Sequence, residues 1–217
     1  MVRSIRDTLG LTILCLSAVQ ADRSSAHPHV WVTMKSELLY ASDGSATGVR
    51  HTWAFDDAFS VFAIQGLPSK RRGTFTREEL AALAQVNVNS LKEYGYFTSA
   101  KADGKKTPLK EPVDYYLDYD AKRTVLTLHF TLPFKSPVKA KQLDVDIYDA
   151  TFFVDMAFVE KDPVALVGAP AGCRLSVVRP QDTSATTQRL SESFFNSLSA
   201  SGGWGAQFAN KVSVKCP

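Results

Sequence analysis

Soft metal ligands, clustered charge and long apolar runs are all scarce in this chain of 217 residues. The longest apolar run near the N-terminus, residues 9–19, is too short to cross a bilayer as a helix. The 25 basic and 22 acidic side chains nearly cancel, leaving a formal charge of +3. That balance, with no dense basic cluster, argues against nucleic-acid binding. The short run Lys70-Arg71-Arg72 reads as a solvated loop. There is no Gly-rich phosphate loop, no nucleophile elbow and no two-histidine helical zinc motif. Nothing therefore nominates a nucleophile with its base, and no enzymatic activity is expected. What remains is an ordinary globular composition, 45% hydrophobic and 22% charged, long enough for one domain with a real core.

The N-terminus carries the first positive signal. Arg3 and Arg6 precede the apolar run, and small residues follow at Val19-Gln20-Ala21 and Ser24-Ser25-Ala26. Despite Asp7, this reads as a cleavable secretion signal over residues 1–26, with export to the periplasm and a mature domain over 27–217. Cleavage after Ala21 is the alternative. Cys15 lies within the run and lacks the preceding small residue that a lipid anchor needs. Removing the leader leaves Cys173 and Cys216, and an even pair in an exported chain favours a disulfide.

Alternation then predicts a β-hairpin. Val30, Val32, Met34, Leu38 and Tyr40 face one way, as do Val49, His51, Trp53 and Phe55 on the return, with Asp43-Gly44 as turn signal. Matching the apolar faces pairs Val32 with Phe55, Met34 with Trp53 and Leu38 with Val49. The clearest helix starts with the Thr76/Glu79 capping-box pattern, carries Leu80, Leu83, Leu91 and Tyr94 inward, and stops at Gly95. Alternating segments at residues 113–119, 124–130, 143–148 and 152–158 add strands. A strand near 175–178, a helix near 187–198 ended by Gly202-Gly203, and a closing strand at 212–214 complete the chain. The expected fold is one α+β domain of mainly antiparallel, sandwich-like sheets with two main helices, and with the disulfide joining the strands that flank the last helix.

The stretch "AHPHVWV" holds two of the four histidines. Residues i and i+2 of a strand project to one side, so His27 and His29 can converge on one ion, on the wetter face continued by Trp31, Thr33, Lys35 and Glu37. Pro28 fits a strand start and forbids a copper site built from deprotonated second and third amides. Cleavage after Ala26 would add the free amine of His27 as a donor. Imidazoles suit nickel, cobalt, zinc and copper alike. The competing reading is a bare strand start. Asp56, expected across from Trp31, is a further candidate ligand or the N-cap of a short helix beginning "DDAFSVFAI". His51 points to the apolar face and reads as a hydrogen-bonded core histidine, with metal ligation its weaker role. His129 reads as surface or structural. Asp144 and Asp146 share a solvated strand face, and Asp155 breaks the apolar "FFVDMAF", reaching either solvent or a cation.

The segments "AHPHVWV", "GVRHTWAFDDAFS", "QGLPSKRRGTFTREELAALAQVNVNSLKEYGYF", "IYDATFFVDM" and "FANKVSVKC" together resemble the exported proteins of domain-of-unknown-function family 1007. The resemblance spans the mature chain. It implies a periplasmic component of a transport system for nickel, cobalt or zinc, working with an inner-membrane permease, and it places the family's HPH start on His27 and His29. Many relatives carry a calcium-type loop before the main helix. In this chain Pro68, Lys70 and Arg72 occupy its acidic positions around Gly73, leaving Glu79 at the twelfth position, so no calcium is expected there. Two rival functions stand beside metal handling: a structural or adaptor domain of an envelope complex, and a copper enzyme with an N-terminal histidine.

Overall fold

Period-two burial along the first strand sets the architecture. In the computed structural model, which describes residues 29–180 and 205–217, β1 (Val30–Tyr40) buries Val30, Val32, Met34, Ser36 and Leu38 and turns the residues between them outward. It pairs antiparallel with β2 (Ala46–Phe55) in the expected register, Val32 with Phe55, Met34 with Trp53 and Leu38 with Val49. The turn holds because the Asp43 side chain accepts from both the backbone N–H and the hydroxyl of Ser45.

After β2 come helix α1 (Asp57–Ile64) and helix α2 (Arg77–Leu91). The strands that follow are β3 (Thr98–Ala102), β4 (Lys105–Thr107), β5 (Val113–Asp120) and β6 (Val125–Val138). Next are β7 (Gln142–Ile147), β8 (Val154–Phe158), β9 (Val164–Val167), β10 (Arg174–Val178) and β11 (Asn210–Lys215). One sheet runs β5-β6-β2-β1-β8, with β9 also on β1; the other runs β10-β11-β7-β3-β4. Both are antiparallel except where β8 and then β9 lie parallel along the same edge of β1. Leu143, Val145 and Ile147 of the second sheet share one core with Met34, Trp53, Leu128 and Phe130 of the first. The α+β, sandwich-like class expected from the sequence is the one observed.

The departures have local causes. The α2 capping box forms, but its most buried residues are Leu80, Ala84 and Val88, with Leu83 and Leu91 only partly covered. Tyr94, expected inward, is 54% exposed because the α-helix ends at Leu91 and a 3-10 turn changes the phase. Gly95 does take a left-handed conformation, followed by Tyr96 and Phe97 in the same region. Strand β6 runs past residue 130 because β2 continues to pair with it through Leu132 and Pro133. Gly48 allows that approach, since a Cβ there would lie 2.5 Å from the Leu132 carbonyl oxygen. The helix expected near 187–198 and the Gly202-Gly203 stop lie outside the described residues.

Cys173 and Cys216 form the expected disulfide, just beyond the paired strands β10 and β11. Their sequence separation of 43 gives the cross-link about 4 kcal/mol of stabilisation in the loop-entropy model. A Cys173→Ser/Cys216→Ser variant should lose about 3–4 kcal/mol of unfolding free energy, read from urea denaturation. Unchanged stability would mean that the bridge constrains little.

Candidate metal centre

His29 is exposed and immediately precedes the buried Val30. Its backbone N–H donates to the Phe153 carbonyl at 2.9 Å, and its ring lies against the Phe153 ring with centroids 4.7 Å apart. Outward on the same strand follow Trp31, which is 50% exposed, then Thr33 and Lys35. His27 lies outside the described residues. On the parallel neighbour β8, Asp155 stands in register with Trp31.

Asp56 sits across from Trp31, as the hairpin register requires. Its backbone N–H donates to the Trp31 carbonyl at 2.9 Å, and its Oδ2 accepts the Trp31 N–H at 2.9 Å. Its Oδ1 accepts the Phe59 N–H at 2.8 Å, making Asp56 the N-cap of α1. One carboxylate thus closes the end of the hairpin and starts a helix, satisfying two backbone donors that would otherwise be orphaned.

His51 is on the opposite, inner face and fully buried. Its Nδ1 lies 2.9 Å from Ser36 Oγ on β1, and its Nε2 lies 3.2 Å from Thr98 Oγ1 on β3 of the other sheet. Thr98 Oγ1 donates its single proton to the Tyr96 carbonyl at 2.8 Å, so it accepts from the imidazole and Nε2 carries the ring proton. Burial disfavours the imidazolium and pushes the pKa down from 6.5 to about 3. The geometry therefore uses both ring nitrogens of His51 as a bridge between sheets and does not bring it to His29.

Strand pairing assembles a second polar group on the outward face that the sequence left scattered. Arg77 makes a bidentate pair with Asp118 at 2.7 and 2.9 Å and lies 3.8 Å above the Tyr116 ring. Tyr116 in turn stacks on His129, whose Nε2 is 3.4 Å from Asp118. Partial burial lowers the His129 pKa, with Asp118 opposing and Arg77 adding to the shift. Asp118 and His129 border an open groove of about 1020 Å³ that reaches Trp31, Lys35 and Asp56. Tyr116 and His129 are cross-strand partners, and only the β5/β6 register could have disclosed them.

Two of the remaining acidic candidates, Glu79 and Asp144, are structurally engaged. Glu79 accepts the Lys70 and Thr76 backbone N–H groups at 2.7 and 2.8 Å, which hold its pKa below the usual carboxylate range. Asp144 accepts from Gln142, and Asp146 is in register with Lys211 of β11. Among the described residues, no three His, Cys, Asp or Glu side chains are gathered to hold a metal ion, and no helix is long and apolar enough to cross a membrane.

Residues 12–216 match the family described as "Protein of unknown function (DUF1007)". The chain belongs to that family. A relative by sequence is the uncharacterized 15.5 kDa protein in the trpE 3′ region of Spirochaeta aurantia, 36% identical over 95 residues. That match covers 43% of this chain and 66% of the relative, just under two thirds of its length. An uncharacterized protein of Haemophilus influenzae is 21% identical over 196 residues, spanning 88% of this chain and 91% of its own.

The buried neutral His51 makes stability depend on pH. Its folded pKa is depressed, so below pH 6.5 the unfolded chain takes up a proton that the native protein refuses until about pH 3. Stability present above pH 6.5 is lost as pH falls through that window, at up to about tenfold in the folding equilibrium per pH unit. His51→Gln should be less stable at pH 7.5 yet show a shallower loss between pH 6 and 4, measured by urea midpoints. Parallel slopes for the two proteins would exclude His51 as the titrating group.

Proposed function

We propose that this DUF1007 protein is an exported, periplasmic accessory protein that binds a divalent transition-metal ion at the start of β1 and works with an inner-membrane nickel/cobalt or zinc transporter. The observation that carries the reading is the exposed, outward imidazole of His29 at the head of β1, two residues after His27. Imidazole donors with oxygen ligands nearby suit borderline divalent ions such as zinc, nickel and cobalt. The disulfide and the apolar leader with its small-residue cleavage positions support an oxidising, extracytoplasmic setting.

In this role the domain is a carrier surface, with the ion as cargo. The backbone at His29 is held by the carbonyl of Phe153, just before β8, so a bound ion meets a preorganised ligand and less ordering free energy opposes capture. Exposure of the site on the sheet's outward face leaves it open to a partner that would receive the ion.

Isothermal titration of the purified protein with nickel, cobalt, zinc and copper should show one high-affinity site, weakened at least a hundredfold in His27→Ala/His29→Ala. No affinity for any of the four, with a partner recovered by envelope crosslinking, would favour the adaptor role instead. Mass spectrometry of the secreted form should find a chain starting at His27. A start at Asp22 would remove the terminal amine as a donor and leave the imidazoles.

A further inference from the structure

We propose that the outward face of α1 is a docking site for an anionic phospholipid bilayer, with Val61 and Phe62 entering the headgroup layer and Arg71, Arg72 and Lys122 meeting lipid phosphates. Docking needs neither a bound ion nor the histidines at the head of β1.

The burial pattern of α1 carries it. A surface helix ordinarily turns its polar residues to water and its apolar ones to the core. Here the order is reversed. Ser60 is fully buried, its hydroxyl donating to the Asp56 carbonyl at 2.6 Å and accepting the Leu126 N–H at 3.0 Å. Ala58, Val61 and Phe62, spaced i, i+3 and i+4, form the exposed stripe instead. Val61 is 53% exposed and Phe62 73%, the highest value for a large apolar side chain among the described residues. Apolar residues exposed singly are ordinary, but neighbours on a stripe without charge mark a contact surface.

Basic side chains frame this stripe. The bond from Leu126 to Ser60 holds α1 against the start of β6, next to the β5–β6 turn that carries Lys122 and Arg123. Phe75 packs edge-on against Tyr119 near the end of β5, with ring centroids 5.6 Å apart, which brings the loop of Lys70, Arg71 and Arg72 to the same end of the sheet. Thr74, Lys122 and Trp31 accordingly border one groove. The acids at this end are engaged: Asp118 by Arg77, Asp120 by Arg123, and Asp56 by the Phe59 and Trp31 N–H groups. Asp57 accepts the Ala58 N–H in the first turn of α1, away from Phe62 in the last. Lys70 is drawn toward Glu78 and Glu79. Arg71, Arg72 and Lys122 are exposed and enter none of the ion pairs among the described residues.

Size and charge select the occupant. A phenylalanine buries about 150–250 Å², so this stripe falls well short of the roughly 800 Å² per partner of a stable protein interface. A bilayer asks less of shape. An apolar tip sinks into the boundary of headgroups and acyl chains, while cations beside it gain from the negative surface potential. The stripe of α1 and the two basic loops around it match that division.

Co-sedimentation of the purified protein with vesicles of phosphatidylethanolamine and phosphatidylglycerol should show binding that phosphatidylcholine vesicles do not, and added salt should weaken it. Phe62→Ser and Arg71→Glu/Arg72→Glu should each weaken that binding at least about fivefold, with thermal midpoints unchanged because the side chains lie in solvent. Val167→Ser, on β9 beside the other end of β1, should bind like the wild type. In Phe62→Trp, brominated lipid should quench emission more than it does in the wild type. Equal binding to both kinds of vesicle, or to neither, overturns the proposal. So does full binding by a folded Phe62→Ser, since charge attraction alone would then suffice. Self-association of the wild type that Phe62→Ser abolishes in sedimentation velocity would assign the stripe to a second copy of the chain instead.

Discussion

The register of β1 is the constraint on which the rest of the molecule depends. This strand is hydrogen-bonded on both edges, antiparallel to β2 on one side and parallel to β8 and β9 on the other. Every second side chain from Val30 to Leu38 is buried. A slip of one residue would drive Trp31, Lys35 and Glu37 inward and expose Met34 and Leu38. The buried Ser36–His51–Thr98 chain adds a polar lock to that apolar preference. Its hydroxyls and imidazole have partners only when Ser36 and His51 face the second sheet. An unpaired group among them would cost about 1–3 kcal/mol. The same register that satisfies the core places His29 and Trp31 on the outward face.

Much of this was legible because it is local. The hairpin register follows from two alternating runs and one Asp-Gly turn, and the start of α2 from Thr76 and Glu79, three residues apart. The cysteine pair could be read from the even number left after the expected leader. Residues that depend on distant pairing were hidden. Strands β3 and β4, short and rich in alanine and lysine, show no apolar alternation, and they exist because β7 offers an edge to Ala100 and its neighbours. The Arg77–Asp118–Tyr116–His129 group spans α2, β5 and β6, so no spacing in the chain announces it. Tyr94 misled because a helical period was carried past Leu91, where the hydrogen-bond pattern tightens.

At the proposed site, legibility divides along the same line. The parity of His29 and Trp31 is a property of one strand and could be read directly. Asp56 was placed across from Trp31, but its simultaneous service to β1 and α1 could be seen only with the helix in position. The partner strand β8 comes from more than a hundred residues later, and a parallel pairing leaves no turn signal between its strands. His51 shows the converse case. As an imidazole it is a chemically plausible ligand, yet its alternation with Trp53 and Phe55 already assigned it to the core.

Carboxylates organise the head of β1 from both sides. On one side Asp56 ties the Trp31 backbone to the first turn of α1. On the other, buried Asp149 accepts the N–H groups of Thr151 and Val154, folding the segment that leads into β8. That fold passes through Phe152 in a left-handed conformation, its ring stacked on Phe208 at 4.3 Å. Such a backbone costs about 1–3 kcal/mol and persists only where surrounding contacts determine it. Its effect is to present the Phe153 carbonyl to the His29 N–H and to bring Asp155 alongside Trp31. Tyr40, at the far end of β1, borders the same cleft as Cys216 of the disulfide. The cross-link therefore braces one end of the sandwich, while hydrogen-bonded carboxylates brace the other and leave the imidazole-bearing face open to solvent.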